Sequence, residues 1–134
     1  MSAELSEAAR ALLDDTNVGV LTTLDATGAP RNTVVWVGRD GNDVLISSDA
    51  VRRKTRNLVA DPRTSILVID RTDPNRYVEV RGQVTVTPDT DRRLAQDLAI
   101  KYAGSDAADE YAALPPEVQR VVIRLTPDRI LDHT

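Results

Sequence analysis

The chain has no cysteine and no phenylalanine, and a single tryptophan, methionine and histidine in 134 residues. Without cysteine there are no disulfides, no thiol nucleophile and no thiolate-ligated metal. Long apolar runs are also missing. None approaches the roughly 20 residues that span a membrane, and Met1–Asp15 lacks the basic-then-apolar order of a signal peptide. Excess positive charge is absent: the formal net charge is −4 and the pI near 4.9. That argues against general nucleic-acid binding, which needs a broad basic face. Lysine is scarce, with arginine outnumbering it 15 to 2, a bias that reads as a GC-rich genome. A cysteine-free chain of this kind fits a reducing cytoplasm, the compartment expected here.

What is present suffices for one domain spanning residues 1–134. A chain of this length buries roughly two thirds of its unfolded surface, enough for a core without covalent staples. Ser6–Asp14 carries Ala8, Ala9, Leu12 and Leu13 at helical spacing behind Ser6 as a cap. Val18–Leu24 changes to a strand period and ends at the turn Asp25–Pro30. Asn32–Val37 and Val44–Ser48 are further strands, the second entered through Asp40-Gly41 hairpin chemistry. Thr64–Asp70 is nearly all apolar and reads as a strand buried on both faces. Tyr77–Thr87 alternates, with Val78, Val80, Val84 and Val86 on one face. Thr90–Ala103 reads as a helix with Leu94, Leu98 and Ile100 inward, ended by Gly104. Ser105–Glu117 reads as a loop with a short helix. Val121–Leu125 is a strand, cut by Pro127 from a last one at Arg129–Leu131. The pattern predicts a mainly β fold with flanking helices, in a closed or nearly closed antiparallel barrel.

One segment stands out against the acidic background. In ISSDAVRRKTRNLVADPR, residues 46–63, Arg52, Arg53, Lys54 and Arg56 crowd into five positions. Ser48-Asp49 offers N-caps and Asp61-Pro62 a stop, so Val51–Ala60 is predicted helical. At 100° per residue Val51, Thr55, Leu58 and Val59 share the packed face, Arg53 and Arg56 point to water, and Arg52 and Lys54 flank the stripe in the first turn. Cations are unfavourable at a helix N-terminus, whose free N–H groups already carry partial positive charge. An anion such as phosphate would offset them, with Ser47 and Ser48 just upstream. A solvated cationic face paired with Asp49 or Asp61 is the competing reading.

The whole succession resembles a known family. A Gly/Pro turn is followed by a Trp-bearing strand, ISSDAVRRKTRNL, DPRTSILVID and DPNRYVEVRGQVTV. It is similar to the flavin/deazaflavin oxidoreductases of the pyridoxamine 5′-phosphate oxidase-like, FMN-binding split β-barrel superfamily, and within it to the branch using the deazaflavin coenzyme F420. The resemblance implies that Arg52 and Lys54 bind the cofactor phosphate, with Ser47, Ser48 and Asn57 at the same end. It implies that Asn32, Thr33, Val34 and Val35 lie along the cofactor ring. It also implies a homodimer with cofactor at the interface, where Tyr77 reaches the partner's cofactor. The C-terminal RILDHT, with Arg129 and His133, departs from the phosphate-binding groups of pyridoxamine phosphate oxidases proper, which argues against that substrate. The implied activity is hydride transfer from reduced F420 to a small conjugated molecule. The alternatives are an FMN enzyme of the same fold and a non-catalytic cofactor carrier. No triad, paired-carboxylate site or metal cluster is evident in the sequence; His133 beside Asp132 is an isolated pair, and Trp36 divides evenly between cofactor stacking and core.

Overall fold

Ser6 starts the first helix in the manner its sequence suggests. Its Oγ accepts the Ala9 amide at 3.1 Å, and α1 runs Glu7–Asp14 with Ala9, Leu12 and Leu13 buried. The computed structural model describes residues 3–134. After α1 come β1 (Gly19–Leu24), β2 (Pro30–Val35), β3 (Gly38–Asp40), β4 (Asp43–Asp49) and α2 (Arg53–Ala60). Then follow β5 (Arg63–Ile69), β6 (Tyr77–Pro88), a 3-10 turn at Thr90–Arg92, α3 (Arg93–Ala103), α4 (Ser105–Ala112) and β7 (Arg120–His133). Gly41 closes the β3–β4 hairpin at φ +60°, a conformation glycine takes without a Cβ penalty.

The strands form one antiparallel sheet in the order β2-β1-β5-β6-β7-β4-β3. The mainly β, split-barrel fold with flanking helices is as expected, but closure is not: β2 and β3 remain edges. β3 has only three residues and pairs with β4 alone. The core lies on the concave face. Leu21, Ile46, Ile66, Val68, Val78, Val80, Ile123 and Leu125 are fully buried, packed with Leu13 of α1 and Leu58 of α2. Burying one such side chain contributes about 1.5–3 kcal/mol.

Several local expectations fail for physical reasons. α2 starts at Arg53, not at residue 51, and no side chain caps it. Asp49 Oδ1 instead accepts the Val51 amide at 3.0 Å, making a turn before the helix. Val51 therefore lies outside the helical phase, and Val59 lies at the rim of a narrow stripe of Thr55 and Leu58. The two valines are 76% and 69% exposed. β5 alternates rather than burying both faces. α3 buries Ala95, Leu98 and Ala99 and leaves Ile100 exposed, because two residues on from Leu98 a helix position falls on nearly the opposite face. Ser105–Ala112 is a full two-turn helix.

The proline expected to divide the last strand does not. β7 runs through Pro127 because a bulge receives it: Arg81 faces Arg129 while Gly82 faces Pro127, leaving Asp128 as the extra residue. Gly82 is required at this bulge. A Cβ there would stand 2.0 Å from the Thr126 carbonyl oxygen. Gly82→Ala is expected to cost about 3 kcal/mol or more of stability, at the upper end for overpacking. Val59→Ala should stay within about 0.5 kcal/mol, as at other exposed positions. Urea denaturation of both variants checks this, and a Gly82→Ala midpoint equal to the parent's would contradict it.

Candidate functional site

A pocket of about 180 Å³ opens where the ends of β2 and β4, the starts of α2 and β7, and the pair α3–α4 meet. Val34, Val35 and Trp36 form one wall, and Ser47, Ser48 and Asp49 form the floor. Arg52, Lys54 and Arg120 bring the charge, and Ala95, Leu98 and Tyr111 cover it.

Each group has a local cause. Strand alternation turns Ser48 inward, where it is 2% exposed. Thr55 Oγ1 lies 2.8 Å from Ser48 Oγ and 2.8 Å from the Asp49 carbonyl oxygen, which bolts α2 to the end of β4. Lys54 then falls in the first turn of a helix with no acidic residue there. Arg120 arrives from β7, which pairs Arg120 with Asp49 and Val122 with Ser47. Its Nη2 donates to Ser47 Oγ at 2.8 Å, and its guanidinium carbon sits 5.0 Å from the Tyr111 ring centre. Arg120 Nε is buried with no hydrogen-bond partner. Trp36 stacks on Tyr102, with ring centres 5.4 Å apart and planes 3° from parallel. The Tyr102 hydroxyl donates to the Asn17 carbonyl at 2.5 Å and accepts the Val37 amide at 3.1 Å, fixing that wall.

The cations are not neutralised by carboxylates. Among the described residues none of Arg52, Lys54 and Arg120 is ion-paired. Asp61, one candidate partner, is taken by Arg63 at 2.7 Å. Asp49, the other, lines the pocket and its charge favours the Arg120 guanidinium, but it forms no ion pair and its Oδ1 accepts the Val51 amide. Burial, reinforced by the positive charges of Arg52 and Arg120, holds the Lys54 ammonium below the ordinary lysine value. Arg120 is lowered as well, chiefly by burial.

The structure brings Val34, Val35, Ser47, Ser48, Arg52 and Lys54 to one pocket. It does not bring in Asn32, Thr33, Asn57 or Tyr77. Asn32 Oδ1 accepts Thr22 Oγ1 at 2.6 Å, farther down β2, and Thr33 Oγ1 is buried without a partner. Asn57 is drawn away from the pocket: its Nδ2 donates to Thr23 Oγ1 at 3.1 Å, beside a groove holding Arg53 and Arg56. Tyr77 stacks on His133, ring centres 4.3 Å apart. Asp132 makes no bond to His133; it accepts Ser6 Oγ at 2.6 Å. Sequence reasoning missed both Arg120 and Tyr111. Strand register sets Arg120 across from Asp49, from where its side chain reaches Ser47.

Comparison with known proteins identifies the family. The Pyridoxamine 5′-phosphate oxidase family profile matches residues 5–134. The chain belongs to this family. Within reach of the family, the F420H(2)-dependent biliverdin reductase of Mycobacterium tuberculosis (strain CDC 1551 / Oshkosh) is 27% identical over 127 residues, 95% of this chain and 87% of that protein. A solved F420 reductase is 30% identical, with a TM-score of 0.78 over 95% of this chain and 98% of its own. A conserved hypothetical protein from Mycobacterium tuberculosis, 23% identical, shares the fold at TM-score 0.76 over 96% of this chain and 86% of its own. Among the described residues no helix is long and apolar enough to cross a membrane.

The cation cluster sets a stability signature. With Lys54 lowered from its ordinary value of 10.5, the unfolded chain binds more protons at this position than the folded one. Stability of the ligand-free protein therefore rises as pH climbs through the folded-state pKa toward the unfolded one. Lys54→Met is expected to stabilise the ligand-free protein at neutral pH by about 0.5–1 kcal/mol, as removal of unfavourable site charge does elsewhere, and to flatten that alkaline rise. Thermal unfolding against pH measures both, and a destabilised variant would show that Lys54 is held by attraction.

Proposed function

We propose that this pocket holds the phosphate of the deazaflavin coenzyme F420, and that the protein is a reductase of a small conjugated organic substrate. One observation carries the reading: three cations, Arg52, Lys54 and Arg120, converge on a pocket whose one carboxylate, Asp49, is ion-paired with none of them, and Arg120 Nε is buried with its hydrogen unused. A buried donor left unpaired is costly, and a phosphate oxygen would satisfy it with a charge-assisted bond. Ser47 and Ser48 add short hydroxyl groups, and the uncapped start of α2 adds free amides. The choice of F420 over FMN is supported by the two relatives at 27% and 30% identity, both named for F420.

When bound, a deazaflavin supplies two-electron hydride transfer, which no side chain of the protein can. The chain's own residues then have simpler tasks. Arg52, Lys54 and Arg120 would anchor the phosphate end, Val34 and Val35 would border the ring, and Tyr111 with Leu98 would keep water off the charged floor. No side chain in the pocket is placed as an obligatory acid or base.

A pocket of about 180 Å³ fits a phosphate group, but drug-sized ligands occupy about 300–1,000 Å³. The ring must therefore lie over the open edge at β2, where Val34 is 69% exposed. We place a second subunit across that edge, in a C₂ homodimer with cofactor between the chains. Tyr77, outside its own chain's pocket, is the proposed contact to the partner's cofactor.

Titration of the protein with F420 and with FMN, followed by absorbance and fluorescence, tests the reading. F420 is expected to bind more tightly. Lys54→Ala should weaken it by about 1.5–3 kcal/mol, the range for a charge-assisted hydrogen bond, and Arg53→Ala much less. Equal losses for the two variants would sink the phosphate assignment, tighter FMN binding would reassign the cofactor, and tight F420 binding without turnover of enone or quinone acceptors would mark a carrier. Sedimentation at micromolar concentration should give a dimer; a monomer that still binds cofactor would refute the shared site.

A further inference from the structure

Just before α3 the backbone adopts a conformation that must be held in place. Asp91 and Arg92 are consecutive residues in the left-handed region, φ +57° and +55°, disfavoured for residues bearing a Cβ. Two sets of bonds maintain it. Asp89 caps α3, its two carboxylate oxygens accepting the Leu94 and Ala95 amides at 3.0 Å each. Arg92 turns its guanidinium onto the segment between α4 and β7. Nη1 donates to the Leu114 carbonyl at 2.6 Å and the Ala112 carbonyl at 3.4 Å; Nη2 donates to Pro115 at 2.6 Å and Val118 at 3.2 Å.

That segment links the two missed residues of the pocket. Tyr111 stands one residue before Ala112, and Arg120 two after Val118. The same turn grips Arg120 directly, since the Asp89 amide donates to its carbonyl at 2.9 Å and the Arg92 amide to the Asp89 carbonyl at 3.0 Å. From the other side the Ala50 amide bonds the Gln119 carbonyl at 2.9 Å. α4 packs chiefly on α3, so the sheet does not set its position. Arg92 itself lines the groove behind Arg120, not the anion pocket.

We propose that Arg92 is a positioning residue for the anion site: by holding the carbonyls of residues 112–118 it sets Arg120 and Tyr111 where the phosphate is bound, without touching the ligand. The inference rests on the phosphate reading above. Arginine is required because its planar fork presents five donors in fixed directions, whereas lysine is a point charge on a flexible stem.

The test is a double-mutant cycle read by calorimetric titration with inorganic phosphate, at a temperature where every variant is folded. Arg92→Ala is expected to weaken phosphate about tenfold, and Arg92→Lys to recover only part of that loss. In an Arg120→Ala background Arg92→Ala should change affinity less than about twofold, while lowering Tm as much as it does in the parent. A merely structural role predicts the Tm loss without the coupling. Equal affinity losses in both backgrounds, or none in either, would overturn the inference. Should Arg92→Ala fail to fold, Arg92→Gln keeps donors for part of the segment and carries the same cycle with the same outcomes. Unchanged phosphate affinity in Lys54→Ala would instead remove the phosphate reading, and this inference with it.

Discussion

The antiparallel pairing of β4 with β7 is the constraint on which the site depends. Its register runs from Val44 opposite Leu125 to Asp49 opposite Arg120. Along it Val44, Ile46 and Ser48 turn inward, as do Val121, Ile123 and Leu125. A slip by one residue would send these aliphatic side chains to solvent, so core burial enforces the register. The charged site is thus aligned by hydrophobic packing. Ser47 and Arg120 meet because the residues between them and the core cannot shift.

Unpaired like charges at the mouth of an apolar sheet are unfavourable in the free protein. The depressed Lys54 reflects this, with burial as the larger cause and Arg52 and Arg120 as the smaller. Compensation is partial: the Asp49 and Asp89 charges favour the Arg120 guanidinium, but neither forms an ion pair in the cluster, and Asp61 is taken by Arg63. The cluster sits beside a densely aliphatic core, and local departures from stability rules of this kind are expected at functional sites. The two left-handed residues before α3 are a second departure, on the far side of Arg120.

Much of the element pattern was legible in the sequence because it rests on near-neighbour chemistry. The Ser6 cap, the Gly41 hairpin and the alternation of Tyr77–Thr87 each involve residues a few positions apart. Reading failed where a distant partner changed the local answer. Pro127 continues its strand because Gly82, 45 positions earlier, gives room for a bulge. Val51 misses the packed face because the Asp49 carboxylate bonds its amide and delays the helix. A closed or nearly closed barrel was expected from strand count, whereas β2 and β3 each pair with one neighbour and remain edges.

For the site, sequence alone determined the charge on one side: four cations next to a strand end and the start of a helix, with Lys54 distinguished from Arg53 by helical phase, whereas Arg52 precedes the helix in extended backbone. That is local geometry, periodic along the chain, so it can be read without a fold. Only the tertiary structure decided what faces those cations. Arg120 lies 66 residues beyond Lys54, and Tyr111 sits on a helix that packs away from the sheet. Asn57 is held by Thr23 of β1, outside the pocket. Such placements follow from strand register and helix packing, which depend on the burial of the entire core and leave no signature at the residues they bring together.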